Sequence, residues 1–290
     1  MIKKILYIFI LLFTSISYSQ LSKTHYIPPL THAAEGNANA VDQWMYISTP
    51  STSPVNVSIL PVGGTAQTIT VQNNQPQKVQ ISTNGYSQLY VEANTTSQVM
   101  NNKGYIIDAD KPIYVSVRVN AGGFEGNDDS SAQAGALVTK GLDGLGRTFR
   151  VGTFNSQSNS ANFNNYLNFL SVMATEDNTT VNFTNNYTSG FVIENYSGQF
   201  PINNIQLNRG ESYVIALELK DTSTATTQDA VTRNRDGLIG TLIQSDKDIV
   251  VNSGSSNGSF HNGGARDYGI DQIVDLSRVG KESILVRGDG

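Results

Sequence analysis

Two phrases in the chain set an acid beside a base. Residues 240–251 read GTLIQSDKDIVV and residues 104–115 read GYIIDADKPIYV, so Asp246–Lys247 and Asp110–Lys111 recur at an offset of 136. Neighbouring Asp and Lys side chains could give and take a proton. An alternating apolar stretch follows at once in both places. That favours a tight turn between strands, with Asp bonding its own backbone two residues on. Residues Gly254-Ser255-Ser256-Asn257-Gly258 fit the G-x-S-x-G of a hydrolase nucleophile, with His261 and Asp267 or Asp271 downstream. Such an elbow must turn from a strand into a helix within an α/β sheet. Here the chain runs on into SFHNGGARDYG, which carries no helix signal, and Ala121–Ser130, the matching stretch one offset earlier, has no His.

Metal chemistry finds little support. His25, His32 and His261 are scattered, and NDDSS (127–131) lacks the register of a calcium loop. It reads as a solvated acidic loop. Cysteine is absent, so thiolate metal sites, thiol nucleophiles and disulfides are excluded. Arg287-Gly288-Asp289 reads as a strand end, and the Asn-x-Ser/Thr sequons follow from a composition rich in Asn and Thr.

Binding chemistry rests on aromatic residues in or beside loops: Trp44, Phe124, Tyr187, Tyr196, Phe260 and Tyr268. Trp44 reads as a core residue opening its strand. Phe124 and Phe260 again stand 136 apart. They either cover the ends of the sheets, the preferred reading because unsupported Phe is rare at a surface, or present a binding edge. With Tyr268 they are the candidate ligand-binding residues. No catalytic, cofactor or metal residues are assigned.

The elements that would position these residues are strands. Apolar residues alternate nearly everywhere: Val55/Val57/Ile59, Ile69/Val71, Val79/Ile81, Ile113/Val115/Val117/Val119, Val181/Phe183, Ile205/Leu207, Tyr213/Ile215/Leu217 and Ile249/Val251. Asn, Gly and Pro punctuate them. Gln228–Arg235 is a short helical candidate, whereas the alternation of Ser212–Lys220 favours a strand.

The chain also repeats itself. Residues 46–57 align with 172–183, 68–81 with 204–215, 104–115 with 240–251 and, loosely, 145–151 with 279–286. The order is kept, and one insertion of about ten residues accounts for the change of offset. Each copy has room for two groups of four short antiparallel strands. The expected fold is all-β, with tandemly duplicated four-stranded units. A propeller-like arrangement is favoured and tandem β-sandwiches are the alternative.

The first 19 residues read as a secretory signal peptide. Lys3 and Lys4 precede an apolar run from Ile5 to Ile16, and Ser17 and Ser19 stand before Gln20. Without them the formal charge is −7, from 17 Lys and Arg against 24 Asp and Glu. That argues against nucleic acid and anionic membrane surfaces, and no later stretch is long and apolar enough to span a bilayer. The first copy is expected over 20–165 and the second over 166–290, cut short before a further copy.

THYIPPLT, DQWMYISTPS, VMATEDNTTVNF, LNRGESYVI, SDKDIVV and DYGIDQIVDLSRVGKESILV together resemble the IgGFc-binding protein N-terminal domain. The version at the front of large Bacteroidota surface proteins, associated with gliding motility and type IX secretion, is the most similar. The most specific stretches are 174–181 and 271–281. The resemblance spans nearly all of 24–290 and implies β structure, placement outside the cell or on its surface, and non-enzymatic adhesion or recognition of a protein or glycan. It offers no catalytic residues to carry over. Animal members carry cysteines that this chain lacks. The alternatives are a secreted carbohydrate-active or other hydrolase, and a structural spacer without a ligand.

Overall fold

The structure, a computed structural model, describes residues 20–31, 40–84, 87–120, 134–152, 167–186, 192–218, 237–258 and 267–280. The signal-like start, His32, Phe124, NDDSS, Tyr187, the segment 228–235, Phe260, His261 and the 287–289 tripeptide lie outside them.

The described residues form strands almost throughout. In chain order these are β1 (Ser22–Ile27), β2 (Leu30–Thr31), β3 (Asp42–Ser48), β4 (Val55–Pro61), β5 (Gln67–Val71), β6 (Gln77–Ser82), β7 (Tyr90–Val91), β8 (Val99–Met100) and β9 (Tyr105–Asn120). They continue with β10 (Ala134–Val138), β11 (Gly146–Arg150), β12 (Leu167–Ala174), β13 (Thr179–Thr184), β14 (Ile202–Leu207), β15 (Ser212–Glu218), β16 (Leu242–Gly258) and β17 (Asp267–Ile273). The all-β expectation holds, and Ser212–Glu218 is a strand, as its alternation required.

Two long strands organise the fold. Along β9, Tyr105–Ala109 pairs with β4 on one side and β1 on the other, whereas Tyr114–Asn120 pairs with β3 and β10. β5 extends β4, and β6 extends β3. Four strands thus gather around each half of β9, which is common to both groups. Along β16 the plan repeats: Leu242–Ser245 lies between β13 and β11, and Ile249–Ser255 between β12 and β17. β14 extends β13, and β15 extends β12. Each unit curls about its long strand, one as a half barrel and one as a nearly closed barrel.

The registers make the duplication explicit. Ser22 faces Ile113 and Thr24 faces Asp108, and the same step recurs where Gly146 faces Ile249 and Thr148 faces Gln244. β11 therefore takes the place of β1, and the 279–286 stretch of the loose alignment lies largely outside the described residues. β11 pairs in the second unit although the sequence division placed it in the first. The ten-residue insertion falls between β13 and β14.

The units interlock. β8, from the first half of the chain, adds to β15 of the second sheet, pairing Met100 with Ser212. β12 reads LNFLSVMA and is buried along its whole length. Leu170, Val172 and Ala174 enter the core of the second unit, while Leu167 and Phe169 enter that of the first. β15 does the same with Tyr213, Ile215 and Leu217 on one face and Val214 and Ala216 on the other. A strand wetted on neither face has no reason to alternate, which explains its continuous apolar sequence.

Candidate functional site

The Asp–Lys pairs are not turns. Both lie inside a continuous strand, where β9 and β16 change partners. Their side chains reach across to the connection between the two neighbours. Asp246 Oδ1 accepts from Thr180 N at 2.8 Å, and Lys247 Nζ donates to Asp177 O at 2.5 Å. The Thr180 N–H holds the Asp246 carboxyl below the usual carboxylate range. In the first unit Asp110 accepts from Asn56 Nδ2 at 3.4 Å, and Lys111 bonds Ser53 Oγ. A turn would have bonded each Asp to the backbone two residues on. Here each pair instead grips the β3–β4 or β12–β13 corner, so its acid and base serve architecture. That also explains the ATEDNTTV stretch: Asn178 is left-handed at φ 54°, Asp177 Oδ1 accepts from Arg209 N at 3.0 Å, and Asn208 Oδ1 accepts from Asn178 N at 3.2 Å.

The G-x-S-x-G stretch is extended backbone at the end of β16, not a strand-to-helix elbow. Gly254 is needed because a Cβ there would stand 2.2 Å from Gly269 O on β17. Asp271 pairs with Lys140 at 2.7 Å, and Asp267 Oδ1 accepts from Ala134 N at 3.0 Å. Among the described residues, no group of metal-ligating side chains converges.

Tyr268 is 5 % exposed and packs in the first core cluster, its Cβ against Gly135. Phe124 and Phe260 lie outside the described residues. Among the described residues, Asn120, Ala134 and Asp267 line a single open groove.

The DQIVDLSRVGK stretch is a clasp between units. Gln272 Nε2 donates to Tyr26 O at 3.0 Å and to Asn252 Oδ1 at 3.3 Å, and its Oε1 accepts from Lys140 N at 2.7 Å. Asn252 Nδ2 donates to Pro28 O at 2.9 Å. Asp275 caps the 3-10 turn Leu276–Arg278 and receives the β11 backbone.

His25 is fully buried at a junction of β1, β9 and the end of β10. Nε2 lies 3.0 Å from Ile113 O and 3.2 Å from Ser22 O, and Nδ1 lies 2.6 Å from Thr139 Oγ1. Two carbonyls at Nε2 fix a proton there, and Nδ1 meets the Thr139 hydroxyl, which also bonds Val115 O at 3.1 Å. Burial pushes the pKa below its ordinary 6.5, against the opposing carbonyl contacts. The unfolded chain therefore takes up a proton before the folded one does. Stability should be flat above the ordinary value and decline as pH falls through 6.5 towards the folded value. Urea unfolding between about pH 8 and 5 should show this slope, and His25→Gln, with His32 and His261 kept, should reduce it. An unchanged slope would refute the assignment.

The groove, of about 580 Å³, opens on the outward face of the first unit. Its floor is four neighbouring strands. β3 supplies Trp44 and Tyr46, β6 supplies Lys78, β9 supplies Arg118, and β10 supplies Ala134 and Ala136. Lys78 Nζ stands 3.8 Å over the Trp44 ring and 5.8 Å over Tyr46, and the Arg118 guanidinium lies 4.8 Å over Tyr46. Asp42 Oδ1 accepts from Trp44 Nε1 at 2.6 Å, which fixes the indole. Trp44, expected in the core, stands half-buried on the outward side, because Met45 and Ile47 take the core side of β3. The segment WMYI is apolar on both faces, so its sequence does not reveal which face is buried.

Pairing registers give each groove residue its counterpart in the second unit. Trp44 pairs with Gln80 and Arg118, as Phe169 does with Ala216 and Gly254; Tyr46 pairs with Lys78, as Ser171 does with Val214. Ala136 corresponds to Ile270, since each faces the matching residue of its long strand. Phe169, Val214, Ala216 and Ile270 all pack against the core of the first unit. The face used for docking in one copy is thus, in the other, a half-buried to exposed surface that sets Trp44 and Tyr46 beside Lys78 and Arg118, with Asp42 and Asp267 along the same groove. Only this comparison separates the groove residues from ordinary strand residues, and it needs the register.

A family model described as IgGFc binding protein matches residues 134–290, more than half of the chain. The match begins at β10 and covers β11 to β17, the Asp246–Lys247 corner and the Gln272–Asp275 clasp, while β8, Trp44, Tyr46, Lys78 and Arg118 precede it. No curated protein matches the chain. The matched family is of binding type, and its domains occur in extracellular proteins. With the motifs that carry the match now placed in the two structural joints of the second unit, the chain belongs to the family of the IgGFc binding protein.

Proposed function

We propose that the chain is a non-enzymatic recognition module that works outside the cell, as an adhesive part of a Bacteroidota-type surface protein. It holds an extracellular protein or glycan in the groove on β3, β6, β9 and β10. The observation that carries this reading is the exchange at equivalent positions. Where the second unit has Phe169 and Val214 buried against its neighbour and a glycine at 254, the first has Trp44 and Lys78 half-buried and Arg118 exposed on the groove. Aromatic rings held by hydrogen bonds and flanked by cations are typical anchors of binding. The signal-like start and the resemblance of residues 24–290 support the placement, and no helix of the described residues is long and apolar enough to cross a membrane.

The test is a glycan and glycoprotein array probed with wild-type protein and with Trp44→Ala, both shown folded by circular dichroism. Wild type should bind a defined set of spots, and the variant should lose them by about ten-fold or more in affinity. Absence of signal from folded wild-type protein would refute the reading. A second reading also has an observation behind it: a polar outer face is what the end of a stacked array needs, so the first unit could be a cap that binds nothing. Equal array signals from wild type and Trp44→Ala would favour it.

A further inference from the structure

Resting on the recognition reading, we infer that the partner is a protein, which lays an extended segment of alternating apolar and polar residues along the outer edge of β6. The groove itself sets no sign of charge for its partner, since Asp42 and Asp267 line it together with Lys78 and Arg118. Its border is more selective. β6 ends its sheet: among the described residues it pairs with β3 alone. The far side of such a strand carries a row of backbone donors and acceptors that another strand can join.

The second unit shows the same edge in use. β15 is the counterpart of β6, and its outer edge is covered over 212–217. Met100 pairs with Ser212 and Val99 with Tyr213. Ser97 N donates to Val214 O at 2.7 Å, Glu194 N donates to Ala216 O at 2.9 Å, and Ile193 bridges to Leu217. Gln80 takes the place of Ala216, because it faces Trp44 as Ala216 faces Phe169. The Ala216 carbonyl points away from β12, so the Gln80 backbone points away from β3. The cover also keeps the flank dry. Ile215 is fully buried, whereas Val79, its counterpart, is half-buried at the rim of the first core, as is Ile81, and Gln80 is exposed. A segment joining β6 would close over Val79 and Ile81 with one row of side chains and stand the other row beside Gln80 on the groove side, which is why its residues must alternate.

The test is a random decapeptide library displayed on phage and selected on the folded full-length protein. Enriched peptides should carry apolar residues at every second position. Made with a fluorescent label and followed by anisotropy, they should lose about ten-fold or more in affinity when one alternate set of their amide nitrogens is methylated, a change that blocks strand pairing and keeps the side chains. Gln80→Pro removes an outward N–H and no bond to β3, so an edge strand should tolerate it, and it should weaken binding by about ten-fold in protein shown folded by circular dichroism. Gln80→Ala trims the side chain alone and should bind within about two-fold of wild type. Binding that survives methylation of either alternate set, or that Gln80→Ala weakens as much as Gln80→Pro, would overturn strand addition. Selection that enriches no peptide, or an array response confined to glycan spots, would overturn it too, while array signals that depend on Trp44 would leave the recognition reading standing. A concentration-dependent dimer that Gln80→Pro dissolves would make a second copy of the chain the occupant and overturn the partner peptide.

Discussion

Phe169→Ala should lower the unfolding free energy by about 3–5 kcal/mol, whereas Trp44→Ala, at the equivalent position of the first unit, should cost only about 1–2 kcal/mol. Phe169 is fully buried, one of the largest such side chains, and it projects from β12 into the core of the other unit. Its removal leaves a cavity between two sheets, and neither can collapse into it. β12 is pinned between β15 and β16. Trp44 has solvent on one side, so its truncation loses a hydrogen bond to Asp42 and ring contacts but creates no enclosed void. Urea unfolding followed by far-ultraviolet circular dichroism measures both, and a shared transition is expected because β8 knits the two units together. If Phe169→Ala shifts the midpoint no more than Trp44→Ala does, the interlocked arrangement is wrong.

The contrast between these two residues marks where sequence stopped being informative. Strand positions were legible because one face of most strands is wet: Val55/Val57/Ile59 and Ile113/Val115/Val117/Val119 sit in the core as their alternation requires. The duplication was legible because the Asp–Lys corners bind equivalent connections in both copies, and the backbone geometry there tolerates few alternatives. What failed was the reading of those corners as turns. A strand that bends while changing partners carries the same short apolar flanks as two strands joined by a turn, and only its long-range pairing tells them apart. Trp44 was assigned to the core for a similar reason. In DQWMYIS both faces are apolar, and the choice between them depends on β9, about 70 residues away in sequence. Tyr268 was placed beside a loop, correctly by sequence, but the face of β17 that carries it docks onto the first unit.

Asp275→Ala should destabilise the protein by about 2–4 kcal/mol near neutral pH, through the loss of a charged acceptor that serves three backbone donors. Asp275 Oδ2 accepts from Arg147 N at 2.8 Å and Thr148 N at 2.7 Å, and Oδ1 accepts from Ser277 N at 2.7 Å. The residue is 7 % exposed, so water cannot readily replace what is lost. Burial by itself would raise its pKa, but the bonds from Ser277, Thr148 and Arg147 prevail and hold it below the ordinary 3.8. The sign of the pH effect follows. A depressed carboxylate stabilises the fold at pH above its unfolded value, and that contribution fades as pH drops through the lower folded value. The gap in stability between wild type and Asp275→Ala should therefore be widest at neutral pH and narrow below about pH 4. Asp275→Asn separates charge from shape. It keeps one acceptor oxygen but turns an NH2 towards a backbone N–H, so it should also be destabilising, and its pH profile should follow that of the alanine variant. Parallel wild-type and variant profiles, with a constant gap down to pH 3, would show that Asp275 acts there as an uncharged spacer.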